Sequence, residues 1–425
     1  MQRIQFCLWT LAILPCSSAL AQDFIPPVPL ANAGLVKYWQ LQLLLEPDQT
    51  IQTVYLIDDQ LYAGTQDGYV FAVHAPTGVL RWVRQITRSG YPVRRPCHAG
   101  EQVIFVTPSD LQVYNRRTGE PLIRTDLRFP AGGAPVSDGA RIFLGGVDHR
   151  LYAFDARTHY LDWRLVTSGA VNSTPTIRAD TIYFANDAGA VYACTRENKT
   201  FRWQTSTYDQ ITADLVVDER GVFVASRDYS LYLLDLNFGN IRWRARLSGP
   251  LYEAPVLTPD MVYQYTPADG LVAIDSQTIG ETDKRIRWKL PNGRTLLTVH
   301  KDRAYVLTRD GTVAVLNVGD GTPVMDIPAD GLTLGLPAPE AETVYVAGPD
   351  GRLFCARPVG VTPLSKEEIL AALQPPRTAD AGATSRPTTQ PAAKPVDRLV
   401  TERLGPVSGG RSKVSQEFRP GSKPE

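Results

Sequence analysis

The feature that most constrains the fold is an internal repeat of about forty residues. An aliphatic residue or alanine followed by an aromatic one recurs eight times, with 38 to 43 residues between successive aromatic positions, which are Tyr62, Phe105, Phe143, Tyr183, Phe223, Tyr263, Tyr305 and Tyr345. Regular spacing of this kind is typical of an array in which each repeat is one supersecondary unit that covers the apolar face of its neighbour.

Each repeat contains four short runs in which apolar and polar residues alternate, and it has no helical pattern. A turn such as Asp67-Gly68 follows the aromatic position by about five residues, and glycine suits this tight hairpin because it adopts a positive φ without strain. Four short strands per forty residues predict an all-β fold, an eight-bladed β-propeller of four-stranded antiparallel blades. Seven blades, with the irregular second repeat as the exception, is the alternative.

Six of the seven tryptophans occupy one position of the repeat, a few residues after a turn: Trp39, Trp82, Trp163, Trp203, Trp243 and Trp288. We expect them on the outermost strand of each blade, where an indole fills the widening gap between neighbouring sheets and buries about 150–250 Å². Ile123 and Met325 take this position in the two repeats that lack tryptophan.

The two ends of the array predict how the ring closes. The eighth repeat ends at "RLFCARPVG" without its fourth strand, whereas "GLVKYWQLQL" stands alone before the first complete repeat. We therefore predict that this N-terminal strand completes the last blade and brings Trp39 close to Phe354. Such pairing removes the free edges of an open array.

The stretches "APTGVLRW", "DARTHYLDW" and "DLNFGNIRW" resemble the pyrroloquinoline-quinone-type propeller repeat over residues 35–358, and the Trp-Asp dipeptide of WD40 blades is absent. That family includes quinone-dependent dehydrogenases, sensors and scaffolds. It also includes the propeller subunit of the outer-membrane β-barrel assembly machinery, which is nearest in length and blade number. The resemblance implies a non-catalytic scaffold that binds a protein or peptide partner, without a cofactor.

A quinone-dependent dehydrogenase or a quinone-binding redox sensor is the alternative. The resemblance implies that such a protein would hold pyrroloquinoline quinone and calcium at the axial mouth, with an aspartate as the catalytic base. Most aspartates of this chain fall in turn positions, and no two cysteines are adjacent. A carbohydrate- or polymer-binding module is a third possibility, which rests on generic exposed aromatic residues.

The segments before and after the repeats predict where the protein is sent and which parts lie outside the propeller. Arg3, the apolar run "IQFCLWTLAIL" and "ALA" before Gln22 predict export to the periplasm or the extracellular space, with association with the envelope as one form of it. Lipid attachment at Cys16 is an alternative that Pro15 disfavours. The predicted organisation is a signal peptide over 1–21, a linker over 22–34, the propeller over 35–358, a short helical segment over 359–374, and a disordered tail rich in Pro, Ala, Ser and Thr over 375–425.

Charge and cysteine content argue against a nucleic-acid-binding protein, a membrane protein and a disulfide-rich or zinc-binding protein. The chain has 44 basic and 44 acidic residues, which argues against nucleic-acid binding and against a charge-driven membrane surface. No apolar stretch reaches the length of a transmembrane helix, and a monomer is expected. Three widely separated cysteines, Cys97, Cys194 and Cys355, form neither a disulfide framework nor a zinc site.

Candidate binding residues lie in the segments that lead into the innermost strands, because these segments surround the axial mouth of a propeller. Arg94 and Arg95 form a basic pair suited to an anion, and Tyr252 and Glu253 form an aromatic–acid pair. No phosphate loop, serine–histidine–aspartate arrangement or metal-ligand spacing is present. His74, His149 and His159 fall in turns, where solvated side chains are expected.

Overall fold

A computed structural model describes residues 23–277 and 285–374 of the 425-residue chain. The predicted signal peptide and the predicted disordered tail lie outside the described residues. No helix in the described part of the chain combines the length and the hydropathy that crossing a membrane requires.

The described strands form eight four-stranded antiparallel sheets arranged as the blades of a propeller. In chain order, the strands of blades 1 to 4 are β2 (Ile51–Ile57), β3 (Gln60–Thr65), β4 (Tyr69–His74), β5 (Val79–Gln85); β6 (Cys97–Ala99), β7 (Gln102–Val106), β8 (Asp110–Asn115), β9 (Pro121–Asp126); β10 (Val136–Ser137), β11 (Arg141–Gly146), β12 (Arg150–Asp155), β13 (Leu161–Val166); β14 (Thr176–Arg178), β15 (Thr181–Ala185), β16 (Ala190–Thr195) and β17 (Phe201–Ser206).

The strands of blades 5 to 8 follow the same pattern, and β1 from the start of the chain completes blade 8. They are β18 (Val216–Val217), β19 (Val222–Ser226), β20 (Ser230–Leu234), β21 (Ile241–Arg246); β22 (Val256–Leu257), β23 (Met261–Thr266), β24 (Gly270–Asp275), β25 (Ile286–Leu290); β26 (Gly293–His300), β27 (Arg303–Thr308), β28 (Thr312–Asn317), β29 (Pro323–Pro328); β30 (Leu334–Leu336), β31 (Val344–Ala347), β32 (Arg352–Pro358) and β1 (Leu35–Gln42).

The core lies between the blades. The second and third strands, such as β15 and β16, are almost wholly buried because a neighbouring blade covers each face of the sheet, whereas the fourth strand, such as β17, is largely exposed. The aromatic residue of each repeat falls in the second strand. The predicted eight-bladed fold is therefore confirmed, and the irregular second repeat forms a complete blade, so the seven-bladed alternative is wrong.

The ring closes as predicted. Strand β1 pairs antiparallel with β32, and in this register Trp39 lies opposite Cys355 while Gln40 lies opposite Phe354. The first strand of the chain thereby becomes the outer strand of the last blade, so that blade 8 contains four strands like the others.

The recurring tryptophan docks on the next blade. Four indole Nε1 atoms donate a hydrogen bond of 2.8–2.9 Å to a carbonyl in the turn between strands 3 and 4 of the following blade: Trp39 to Ala75, Trp82 to Arg116, Trp203 to Leu236 and Trp288 to Val318. A glycine of that same turn lies against each ring, at Gly78, Gly119, Gly239 and Gly321. Within one repeat, the tryptophan therefore contacts the following blade, whereas the glycine contacts the tryptophan of the preceding blade.

Three smaller features complete the fold. The segment predicted as a linker contains helix α1 (Pro27–Asn32), whose Leu30 packs into the core between blades 7 and 8. Helix α2 (Lys366–Leu373) begins at a capping box in which the backbone N–H of Glu368 donates to Ser365 Oγ at 3.1 Å. The cysteines Cys97, Cys194 and Cys355 are free and buried.

One expectation about the histidines is wrong. His149 is exposed and His74 is half-buried, but His159 is only 2% exposed. It occupies the position that glycine takes in other turns, with φ at 59°, and it follows the blade in which Ile123 replaces tryptophan. An imidazole can be buried at this junction because no indole fills the space.

Candidate functional site

The strand connections alternate between two faces of the ring, because consecutive strands are antiparallel. Turns between strands 1 and 2 and between strands 3 and 4 define the lower face. Turns between strands 2 and 3, together with the loops from one blade to the next, define the upper face. The sequence candidates all lie in or beside blade-to-blade loops and so belong to the upper face.

Two groups of contacting side chains, rich in arginine and tyrosine, lie on the upper face of blades 5, 6 and 7 and are linked through the neighbouring residues Tyr252 and Glu253. We call this set the upper-face strip, and it consists of Gln210, Arg227, Tyr252, Glu253, Tyr265, Arg294 and Arg309. Two of the sequence candidates, Tyr252 and Glu253, are in its centre.

The first half of the strip is built around Arg227. Its Nη1 donates to Gln210 Oε1 at 2.7 Å, and its guanidinium lies 5.5 Å from the centroid of the Tyr252 ring. Tyr252 is 48% exposed. The loop between blades 5 and 6 is thereby held against the turn of blade 5, with the Tyr252 ring exposed and Arg227 half-buried.

The second half of the strip is built around Arg294. Its Nη1 and Nη2 donate to the two carboxylate oxygens of Glu253 at 2.6 and 2.7 Å, which is a bidentate pair between blades 6 and 7. The same guanidinium lies 4.2 Å from the centroid of Tyr265, and Arg309 lies 5.8 Å from that ring. These contacts fix the side chains before any partner arrives.

The other two sequence candidates lie elsewhere. Nη1 of Arg94 donates to the carbonyls of Ala131 and Gly133 at 3.0 and 3.1 Å, and so ties two blade-to-blade loops together. Burial lowers the pKa of the Arg94 guanidinium. Arg95 instead lines the axial cavity. Arg94 therefore links two loops, whereas Arg95 lines a cavity. Neither residue belongs to the upper-face strip.

The axial cavity has a volume of about 1150 Å³. The innermost strands contribute apolar residues to its walls, such as Val54, Val216 and Val256. Many lining residues belong to turns between strands 1 and 2, so the cavity opens on the lower face. Its charged lining residues are Arg95, Asp218, Glu219, Arg220, Asp260, Lys301, Glu340 and Glu342.

The donor set of this cavity does not fit pyrroloquinoline quinone with calcium. Five carboxylates and three cations line it, so the lining repels a quinone that itself carries several carboxylates unless a calcium ion offsets the charge. Across residues 23–277 and 285–374, no three or more His, Cys, Asp or Glu side chains are grouped so as to hold a metal ion.

Several residues of the strip were missed by sequence reasoning. One signal was available: Arg227 and Arg309 each stand directly before the aspartate of the turn between strands 2 and 3. Arg294 lies in a segment that leads into an innermost strand, but its role depends on Glu253, 41 residues earlier in the chain.

Comparison with known proteins places the chain in a family. A family model described as outer membrane protein assembly factor BamB matches residues 66–212 and 201–283, which together cover just over half of the sequence. The chain belongs to this BamB family of propellers.

Solved structures agree with the fold. BamB from Moraxella catarrhalis superposes with a TM-score of 0.60 at 16% identity, covering 76% of this chain and 99% of that one. The quinohemoprotein alcohol dehydrogenase ADHIIG from Pseudomonas putida HK5 gives 0.60 at 13% identity, covering 78% and 77%. The computationally designed protein Ika8 gives 0.58 at 15% identity, covering 74% and 98%. At these identities the similarity establishes the propeller fold alone.

A curated relative of this BamB-family chain is the tetrathionate hydrolase of Acidithiobacillus ferrooxidans. The two are 22% identical over 298 residues, which is 69% of this chain and 52% of the hydrolase. The chain thus spans about half the length of that relative.

Proposed function

We propose that this BamB-family chain is an exported, monomeric and non-catalytic scaffold that binds a protein partner in the cell envelope through the upper-face strip, without a cofactor. Membership of a family described as an outer membrane protein assembly factor supports an envelope protein with protein partners. The similarity to BamB from Moraxella catarrhalis supports the same shape of molecule.

The observation that carries the proposal is the upper-face strip itself. Arginine and tyrosine are enriched among the residues that dominate binding energy at protein interfaces. Here they are already fixed by hydrogen bonds and ring contacts, as with Arg227 on Tyr252 and Arg294 on Glu253. Side chains fixed in advance lose less conformational entropy on binding.

Site-specific photo-crosslinking in cells tests the proposal. A photoreactive phenylalanine analogue replaces Tyr252 on the upper face or, as the control, Phe238 in a lower-face turn, which is more exposed at 72%. We expect a discrete adduct with one envelope protein from position 252, weakened by Arg227→Ala and absent from position 238. Equal adducts from both positions, or none from position 252, would contradict the proposal.

The alternative function is quinone-dependent redox chemistry at the axial cavity. Addition of pyrroloquinoline quinone with calcium would then raise the melting temperature and give a new absorption band. The charge of the cavity lining leads us to expect neither change.

A further inference from the structure

The outer strand of blade 5 has an unusual charge. Strand β21, "IRWRAR", carries arginine at 242, 244 and 246, so three cations alternate along one face of the strand. It pairs with β20 on one side and has no strand partner on the other among the described residues. Its outer edge therefore presents backbone N–H and C=O groups together with a row of cations.

Cations on the outer strands of adjacent blades are neutralised within the chain. Arg202 of β17 pairs with Asp180, and Lys289 of β25 pairs with Asp269 at 2.7 Å. On β21, Arg242 pairs with Asp235 at 2.7 Å. Arg244 and Arg246 differ, because no carboxylate of the described residues lies within ion-pair distance of either guanidinium.

Tyrosine rings hold these two arginines in place instead. Arg244 lies 5.3 Å from the Tyr208 centroid and 5.5 Å from the Tyr232 centroid, and Arg246 lies 5.7 Å from the Tyr229 centroid. Nε of Arg244 also donates to Ser230 Oγ at 2.8 Å. Tyr208 is 82% exposed, so a flat aromatic surface stands open beside the cations.

Two acidic side chains lie near these tyrosine rings, and neither forms an ion pair with Arg244 or Arg246. Asp228 is buried, and its Oδ2 accepts hydrogen bonds from the Tyr232 hydroxyl at 2.5 Å and from the Tyr208 backbone at 3.0 Å. Asp209 is exposed and accepts from the backbone N–H of Gln210 at 2.7 Å. The positive charges of Arg244 and Arg246 on β21 are therefore not neutralised by these two carboxylates.

We propose that the free edge of β21 accepts an extended acidic segment of the partner protein as a fifth strand of blade 5. Main-chain hydrogen bonds would supply affinity, as in other cases of strand addition. Alternate side chains on one face of a strand are about 7 Å apart. Glutamates at alternate positions of the segment therefore face Arg244 and Arg246 across the pair. The inference rests on the proposed function and names the chemistry of its partner.

The test measures binding of a fluorescent peptide of alternating valine and glutamate to the exported chain by anisotropy. We expect saturable binding that weakens with salt, and none for the matching valine–lysine peptide. Arg244→Glu with Arg246→Glu should weaken binding at least tenfold. The matched control is Arg164→Glu with Val166→Glu, which places carboxylates at the same two positions on β13 and should leave binding unchanged.

A methylated peptide and a milder variant test the strand pairing and the role of Arg246 separately. Methylation of every peptide amide should abolish binding, since the strand then has no N–H donor on either edge. Arg246→Gln, a mild change at an exposed site, should weaken binding measurably even if the double variant does not fold.

Equal binding of the lysine peptide, of the methylated peptide or of the Arg246→Gln variant would overturn the inference, and the arginines would then only prevent pairing of the edge with another copy. A discrete crosslink from Tyr252 that persists in that case would leave the proposed function intact.

Discussion

The indole of Trp203 lies directly against the α-carbon of Gly239 in the next blade. A Cβ on Gly239 would fall 2.6 Å from Cδ2 of the ring, closer than atoms in contact can lie, and the indole Nε1 donates to the Leu236 carbonyl of the same turn at 2.9 Å. The same relationship recurs at Trp39, Trp82 and Trp288. Four of the eight blade junctions are thus fastened by a flat ring against a residue without a side chain.

Gly239→Ala should destabilise the chain more than Gly139→Ala does. Both glycines have positive φ, at 71° and 86°, so both substitutions carry the left-handed penalty of about 1–2 kcal/mol. Gly139 has open space around it, whereas at Gly239 overpacking against Trp203 adds about 1–3 kcal/mol. Urea unfolding of the two variants measures the difference. Equal loss in both would show that the ring contact is unimportant.

Lys199→Gly should stabilise the chain. Lys199 takes the glycine position in the turn that follows Trp163, with φ at 56°, and this indole Nε1 is buried without a hydrogen-bond partner among the described residues. Glycine removes a left-handed strain of about 1 kcal/mol and lets the indole approach the turn. A higher urea midpoint is expected. Lys199→Ala, which keeps the strain, is the control and should give no gain.

Ile123→Trp and His159→Gly should be coupled. Each substitution alone destabilises the junction between blades 2 and 3: the first adds bulk beside His159, and the second leaves a void where the imidazole is buried. The double variant recreates the tryptophan–glycine pair of other junctions. We expect a favourable coupling of about 1–3 kcal/mol in a double-mutant cycle. Additive effects would refute this account of the junction.

Stability should fall as the pH drops below about 6.5. Burial lowers the pKa of His74, His98 and His159 from 6.5, although Asp58 opposes this at His98. The unfolded chain therefore binds protons first, so the stability that these neutral rings contribute is present above pH 6.5 and is lost as the pH falls through their folded pKa values. Urea midpoints at pH 7.5 and 5.5 measure the loss.

The variants His159→Asn and His149→Asn test whether burial of the imidazole causes this pH dependence of stability. His149 is exposed, so its replacement should leave the pH dependence as in the parent chain. Replacement of the buried His159 should reduce the dependence. No difference between the two variants would contradict the role assigned to burial.

Removal of strand β1 should open the ring. A chain that begins at Leu43 leaves β32 as a free edge and exposes Cys355, which lies opposite Trp39. We expect a lower melting temperature and a tendency to associate. A synthetic peptide of residues 34–43 should restore the melting temperature, and the same peptide with Trp39→Ala should do so poorly. A truncated chain as stable as the parent would contradict closure by β1.

The amino-acid sequence by itself determined the eight blades, their strand order, the outer position of the tryptophans and the closure by Trp39. These follow from local alternation, turn chemistry and a constant period, which are properties of neighbouring residues. The tertiary structure decided which polar side chains act together. Glu253 and Arg294 meet only because a blade-to-blade loop and the start of β26, 41 residues later in the chain, converge at one face. His159 is buried at the junction with the blade that lacks a tryptophan, and Arg244 has no ion pair because no carboxylate of the described chain reaches it.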